Sequence, residues 1–168
     1  ELHLRNWRRC DPLRFLPTGE IYRLTLSPPR DLRGALVQLL GGLPQHLRLA
    51  ESQLVPAAAT VAPEMAHAAI EEAENGRCYL RELARSTWLR KHCHGWNQID
   101  LLADEACTAL AGFADMLRAE VAPYASGALG CGPRHLRFLL RHRHYIDCDP
   151  LVGAGVLDRA LEETDRRL

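Results

Sequence analysis

Two stretches of this chain carry imidazole side chains, and one of them a thiol as well, at spacings from which a metal could be ligated. They are His92-Cys93-His94, and His142 with His144 two residues further on. Imidazole nitrogen and thiolate sulfur suit zinc or another transition metal, and two or three ligands from each stretch would close a site. Loop histidines also have a plainer use, because a partly positive ring is favourable at a helix C-terminus. Just before the second stretch, Arg134, Arg137 and Arg141 recur at steps of three and four, which aligns them as a stripe for a small anionic ligand or as a solvated helix face. Glu64, His67 and Glu71 share one helical face, as in bundle di-iron sites, but such sites need a second Glu-x-x-His and the sequence contains none. Cys93 and Cys131 have neighbouring histidines, yet a Cys-His nucleophile is defined by spatial geometry that spacing does not supply. The sequence has no H-E-x-x-H, no C-x-x-C pair and no phosphate-binding G-x-x-x-x-G-K, so no catalytic motif is complete and enzymatic activity is left open.

Helices must position these groups. Met65, Ala69, Ala73, Gly76, Leu80, Leu83 and Thr87 recur at helical spacing, and so do Ile99, Leu102, Ala106, Ala109, Leu110, Phe113, Met116, Leu117 and Val121. The pattern predicts a long antiparallel hairpin, Pro63 to Arg90 and Asn97 to Val121, folded about residues 91–96. Asn97 is expected to cap the second arm and Pro123 to close it. Glu74 with Arg77, and Glu82 with Arg85, have the spacing of exposed helix pairs. Upstream, Ser27-Pro28-Pro29 has the chemistry of a helix start, and that helix is expected to stop or kink at Gly41-Gly42 before another begins near Leu43-Pro44. Residues 1–26 read as irregular, with Ile21 to Leu26 a helical turn or extended connector. After the Gly-rich residues 126–132, Pro133 opens a helix with Leu136, Leu139 and Leu140 inward. Asp149-Pro150 opens the last, with Val152, Val156, Leu157, Ala160 and Leu161 as its apolar face. Alternating helix directions would aim both histidine stretches at one pole of the hairpin, although about ten residues of returning helix rise only ~15 Å.

The expected fold is therefore all-α: one domain over residues 1–168, a bundle of six or seven helices over 27–168 around the central hairpin. With 47% apolar residues there is enough material for a core. The 21 basic and 21 acidic residues balance, which argues against nucleic acid as a partner, and no apolar run approaches the ~20 residues of a membrane span. Lys91 is the only lysine among the basic residues, a composition that fits a GC-rich bacterial genome. Six scattered cysteines are expected to stay reduced in a cytoplasmic setting, with Cys78 and Cys107 acting as small buried apolar residues.

The order of pieces carries a resemblance. The run from Leu43 through Pro44, Gln45, His46, Glu51 and Ser52 to Leu54, a proline-containing loop, the hairpin, the Gly-rich link, Leu139-Leu140-Arg141-His142 and the helix after Asp149-Pro150 together resemble the bacterial family catalogued as domain of unknown function 885, and Trp7 with Asp11-Pro12 fits upstream. The resemblance implies a helical, zinc-peptidase-like protein whose metal helix lies in a later half, so that this chain corresponds to the helical portion walling the substrate channel. It would need a complementary metal-binding half, on another chain or its own, for hydrolysis. The alternative is a stand-alone small enzyme or small-molecule-binding protein of bacterial specialised metabolism. Either way, a domain with an uncovered apolar face is expected to form a homo-oligomer.

Overall fold

The computed structural model describes residues 10–93, 95–130, 132–147 and 149–166, and among these there are helices and no strand. The chain divides into two compact units, Glu1–Leu129 and Gly130–Leu168. The first holds a 3-10 turn (Pro12–Phe15), α1 (Thr18–Leu26), α2 (Leu32–Leu54), a second 3-10 turn (Val55–Thr60), α3 (Pro63–Arg85), α4 (Thr87–His92) and α5 (Trp96–Met116). A π turn (Leu117–Val121) and a short 3-10 turn (Ala122–Tyr124) follow. The second unit holds α6 (Gly132–Arg143) and α7 (Pro150–Asp165).

In the first unit α2, α3 and α5 pack side by side. Arg33 donates to Gln98 at 2.9 Å, and a Cβ on Gly41 would meet Leu102, so α2 and α5 run in the same direction. Arg118 pairs with Glu74, and Cys107 Sγ lies 3.5 Å from the Arg77 carbonyl, so α3 runs against α5. Glu74 thus pairs with the other arm of the hairpin, where the sequence had suggested Arg77.

The core is built from three stripes. Alpha-2 buries Leu32, Leu36, Leu40, Leu43, Leu47, Ala50 and Leu54; α3 buries small residues, Ala66, Ala69, Ala73 and Gly76 among them, before Leu80 and Leu83. From α5 and the π turn come Ile99, Ala103, Ala106, Cys107, Leu110, Phe113 and Leu117. The small residues of α3 let its neighbours approach closely. A Cβ on Gly76 would stand 2.9 Å from Thr18 Oγ1.

Several expected boundaries move. Alpha-2 passes unbroken through Gly41, Gly42 and Pro44. Leu36, Leu40, Leu43 and Leu47 form one continuous buried row, each worth about 1.5–3 kcal/mol, which outweighs ~3 kcal/mol for an interior proline and ~1 for each glycine. The helix also starts later than the prolines suggest: Asp31 caps it by accepting from the Gly34 amide at 2.8 Å. Of the two alternatives for Ile21 to Leu26 the helical one holds, and the helix, α1, starts earlier, at Thr18, with Ile21 fully buried.

The first hairpin arm breaks at Ser86, whose backbone is extended at φ −69° and ψ 140°. Its hydroxyl donates to Leu83 O at 2.7 Å and accepts from the Leu89 amide at 3.1 Å, so one side chain closes α3 and opens α4. Thr87 is consequently exposed, and Leu89 takes the buried place. Alpha-5 begins after Gly95, in the left-handed region at φ 74°, and Asn97 does not cap it. At the far end the α-helical pattern yields to the π turn before Pro123 is reached. Gly127 then donates to Val61 O at 2.8 Å, and a Cβ there would fall 2.1 Å from Thr60 O, so this position of the Gly-rich link admits only glycine.

In the second unit, the chain reverses after α6 through Tyr145 at φ 57°, and Arg137 pairs with Asp149. No residue of this unit is buried among those whose burial is described. Leu139 and Leu140 are half-buried, whereas Leu136, Val152 and Val156, expected to face inward, are exposed at 39%, 63% and 53%. Among the described residues no helix is long and apolar enough to cross a membrane. Cys107 is buried as expected; Cys78, expected to be buried, is exposed.

Candidate functional site

The two histidine stretches fall in different units. His92 closes α4, its ring stacked on Trp88 at 4.6 Å with Nδ1 2.8 Å from the Trp88 carbonyl. A carbonyl oxygen only accepts, so Nδ1 is the donor in that bond. Cys93 is buried, and burial pushes its thiol up, while the Arg33 guanidinium pulls it down and Asp31 adds to the rise. The thiolate that a metal needs is thereby disfavoured at neutral pH. His94 lies outside the described residues, as do Cys131 and Cys148.

In the second unit, His142 leans on Phe138 at 4.7 Å, and the His144 amide donates to Leu139 O at 3.2 Å. Among the described residues no three of His, Cys, Asp and Glu come together as a metal would require. Arg134, Arg137 and Arg141 do share one stripe of α6, with Arg137 held by Asp149. Glu64, His67 and Glu71 lie exposed along α3.

A further concavity was not legible as a motif. An open cleft of about 950 Å³ lies between α1 and α2. It lies where Ser27, Pro28 and Pro29 carry the chain from α1 to α2 without helical structure. Its walls are apolar: Leu24 and Leu26 from α1, with Ala35, Leu39 and Leu43 from α2. Polar groups are few and sit among them. Glu20 and Arg23 pair at 3.6 Å across one turn of α1, and His46 is steadied by the Phe15 ring at 5.9 Å. Gln38 adds an uncharged donor and acceptor.

A signal for this cleft does exist in the sequence. Ala35, Leu39, Gly42 and His46 recur at steps of four, three and four, forming a second stripe beside the core stripe of α2. A helix with a second stripe of this kind has more apolar surface than its core contacts use. The cleft has the size and lining of a small-molecule site, mostly apolar with a few placed polar groups.

Comparison with known proteins finds no matching family model, no matching curated protein and no matching solved structure.

Proposed function

We propose that this chain is a binding domain whose α1–α2 cleft holds an elongated, largely apolar molecule and which does not hydrolyse it alone. The observation that carries the reading is the 950 Å³ cleft itself, with leucine walls and the polar groups of Glu20, Arg23, Gln38 and His46. An apolar ligand gains about 25 cal/mol for each Å² it removes from water there, and the few polar groups orient it. The resemblance to the domain of unknown function 885 family gives the cleft a role as one wall of a substrate channel in a zinc-dependent, peptidase-like hydrolase. The metal would then belong to a complementary half. The packing of α2 against the α3–α5 pair supports reading the first unit as a helical bundle organised on that hairpin.

A hydrophobic dye such as anilinonaphthalene sulfonate tests the cleft. Its fluorescence should rise on binding, and Ala35→Trp, which fills the space, should weaken binding by about tenfold or more. Unchanged dye binding in that variant overturns the reading. Competition separates its two forms: displacement by an acetylated trileucine amide favours the channel wall, and displacement by decanoate alone favours a stand-alone small-molecule protein.

The same reading includes a second copy of the chain as partner. Leu136, Phe138, Val152 and Val156 are exposed in the second unit and support it. The free thiols of Cys10, Cys78, Cys93 and Cys107 support a reducing, cytoplasmic location.

A further inference from the structure

A second hollow, separate from the α1–α2 cleft, is built by the break at Ser86. It is a shallow, open depression of about 350 Å³ lined by Thr25, Tyr79, Glu82, Leu83, Ser86 and Trp88. Because α4 starts afresh from Ser86, Trp88 is turned to this side of the joint, and the His92 ring stacked on it at 4.6 Å restrains the indole. The Tyr79 ring is fixed from two directions. Its hydroxyl shares a 2.8 Å hydrogen bond with Thr25 Oγ1, and Tyr22 meets it edge-on at 6.0 Å.

The polar atoms of the lining are mostly committed elsewhere. Ser86 Oγ is engaged by Leu83 O and the Leu89 amide, and the hydroxyls of Thr25 and Tyr79 engage each other. Glu82 is the exception. It is the only charged residue of the lining, and among the described residues no ion pair engages it. Arg85, one turn further along α3, is not part of the lining.

This combination selects a chemistry. Aromatic rings present a negative face, and a carboxylate beside them attracts a cation and repels an anion. A primary ammonium is a compact, strongly hydrated charge, and the leucine and ring surfaces here replace none of the water it would give up. An ammonium whose hydrogens are replaced by methyl groups has less such water to lose, and its methyls suit contact with Leu83 and the two rings. We infer that the hollow beside Ser86 binds a quaternary, methylated ammonium group, with Tyr79 and Trp88 contacting its methyls and Glu82 balancing its charge.

The probe pair is choline and its neutral isostere 3,3-dimethylbutanol, titrated calorimetrically into the purified chain at low ionic strength. Choline should bind about tenfold or more tightly than the isostere, since only the charge differs. Glu82→Gln should lower choline affinity about fivefold and leave the isostere unchanged, and Trp88→Leu should weaken choline more than Trp88→Phe does. Far-ultraviolet circular dichroism checks that each variant stays folded; Glu82 is exposed, so its substitution leaves the core untouched. Equal binding of the two probes, an unchanged preference in Glu82→Gln, or no heat from choline up to about 50 mM overturns the assignment. The result is independent of the dye experiment, whose variant lies in the other cleft.

Discussion

Replacing Gly76 by alanine sets two effects of known sign against each other. In a helix interior, alanine in place of glycine stabilises by about 0.5–1 kcal/mol, because the unfolded chain loses less freedom on folding. Here the new methyl would stand 2.9 Å from Thr18 Oγ1 and 3.5 Å from Thr18 Cγ2. Overpacking of this kind costs about 1–3 kcal/mol, and Thr18 has little room to yield because β-branching stiffens its side chain. The clash wins, and Gly76→Ala should destabilise by about 0.5–2 kcal/mol. In a Thr18→Ala background the obstacle is gone and the same substitution should stabilise by about 0.5–1 kcal/mol. Thr18→Ala also removes a buried hydroxyl that has no hydrogen-bond partner among the described residues, which offsets part of its lost packing. Urea unfolding followed by circular dichroism measures all four corners of the cycle, provided the m-value stays constant. If Gly76→Ala has the same effect in both backgrounds, α1 does not rest on α3 as described.

Thiol chemistry offers a check on burial. At pH 8 an alkylating reagent should modify exposed Cys78 ahead of Cys93 and Cys107, in peptides resolved by mass spectrometry. Desolvation also pushes the Cys107 thiol up, with Arg81 opposing. A raised folded-state pKa means stability fully present below the unfolded thiol's pKa and lost as pH rises through the folded one. Unfolding free energy should therefore fall in the alkaline range, and less steeply in Cys107→Ala. Sedimentation equilibrium should show a dimer or larger species that Val152→Glu with Val156→Glu dissociates; a parent protein that is monomeric at high concentration refutes self-association.

How legible the fold was depended on whether packing agreed with local propensity. The stripes of α3 and α5 were readable because Ala69, Ala73, Leu80, Ile99, Leu110 and Phe113 repeat at helical spacing and are all buried. Alpha-2 was misread at Gly41, Gly42 and Pro44 because local breakers lost to a buried leucine row, a tertiary effect. Alpha-1 was ambiguous between a helical turn and an extended connector because it buries only Ile21, and its start was obscured because Pro17-Thr18-Gly19 has turn chemistry. The α6 and α7 boundaries were legible from Pro133 and Pro150, but their inward faces were not, since periodicity marks an apolar stripe without saying what covers it. Both hollows were invisible as motifs. Each is a space between helices: one lies where α1 leads to α2, the other beside the joint at Ser86.

That joint also changes what the tip of the hairpin can tolerate over evolutionary time. In an uninterrupted helix, inserting one residue rotates every later side chain by about 100° and carries buried positions into water. Here α3 finishes at Arg85 under its own cap, and α5 starts afresh from Gly95, so the helical phase is reset on both sides of residues 86–95. A change of length there leaves the stripes on either side in register, while Ser86, which caps two helices, and buried Leu89 and Cys93 keep the tip itself anchored to the core.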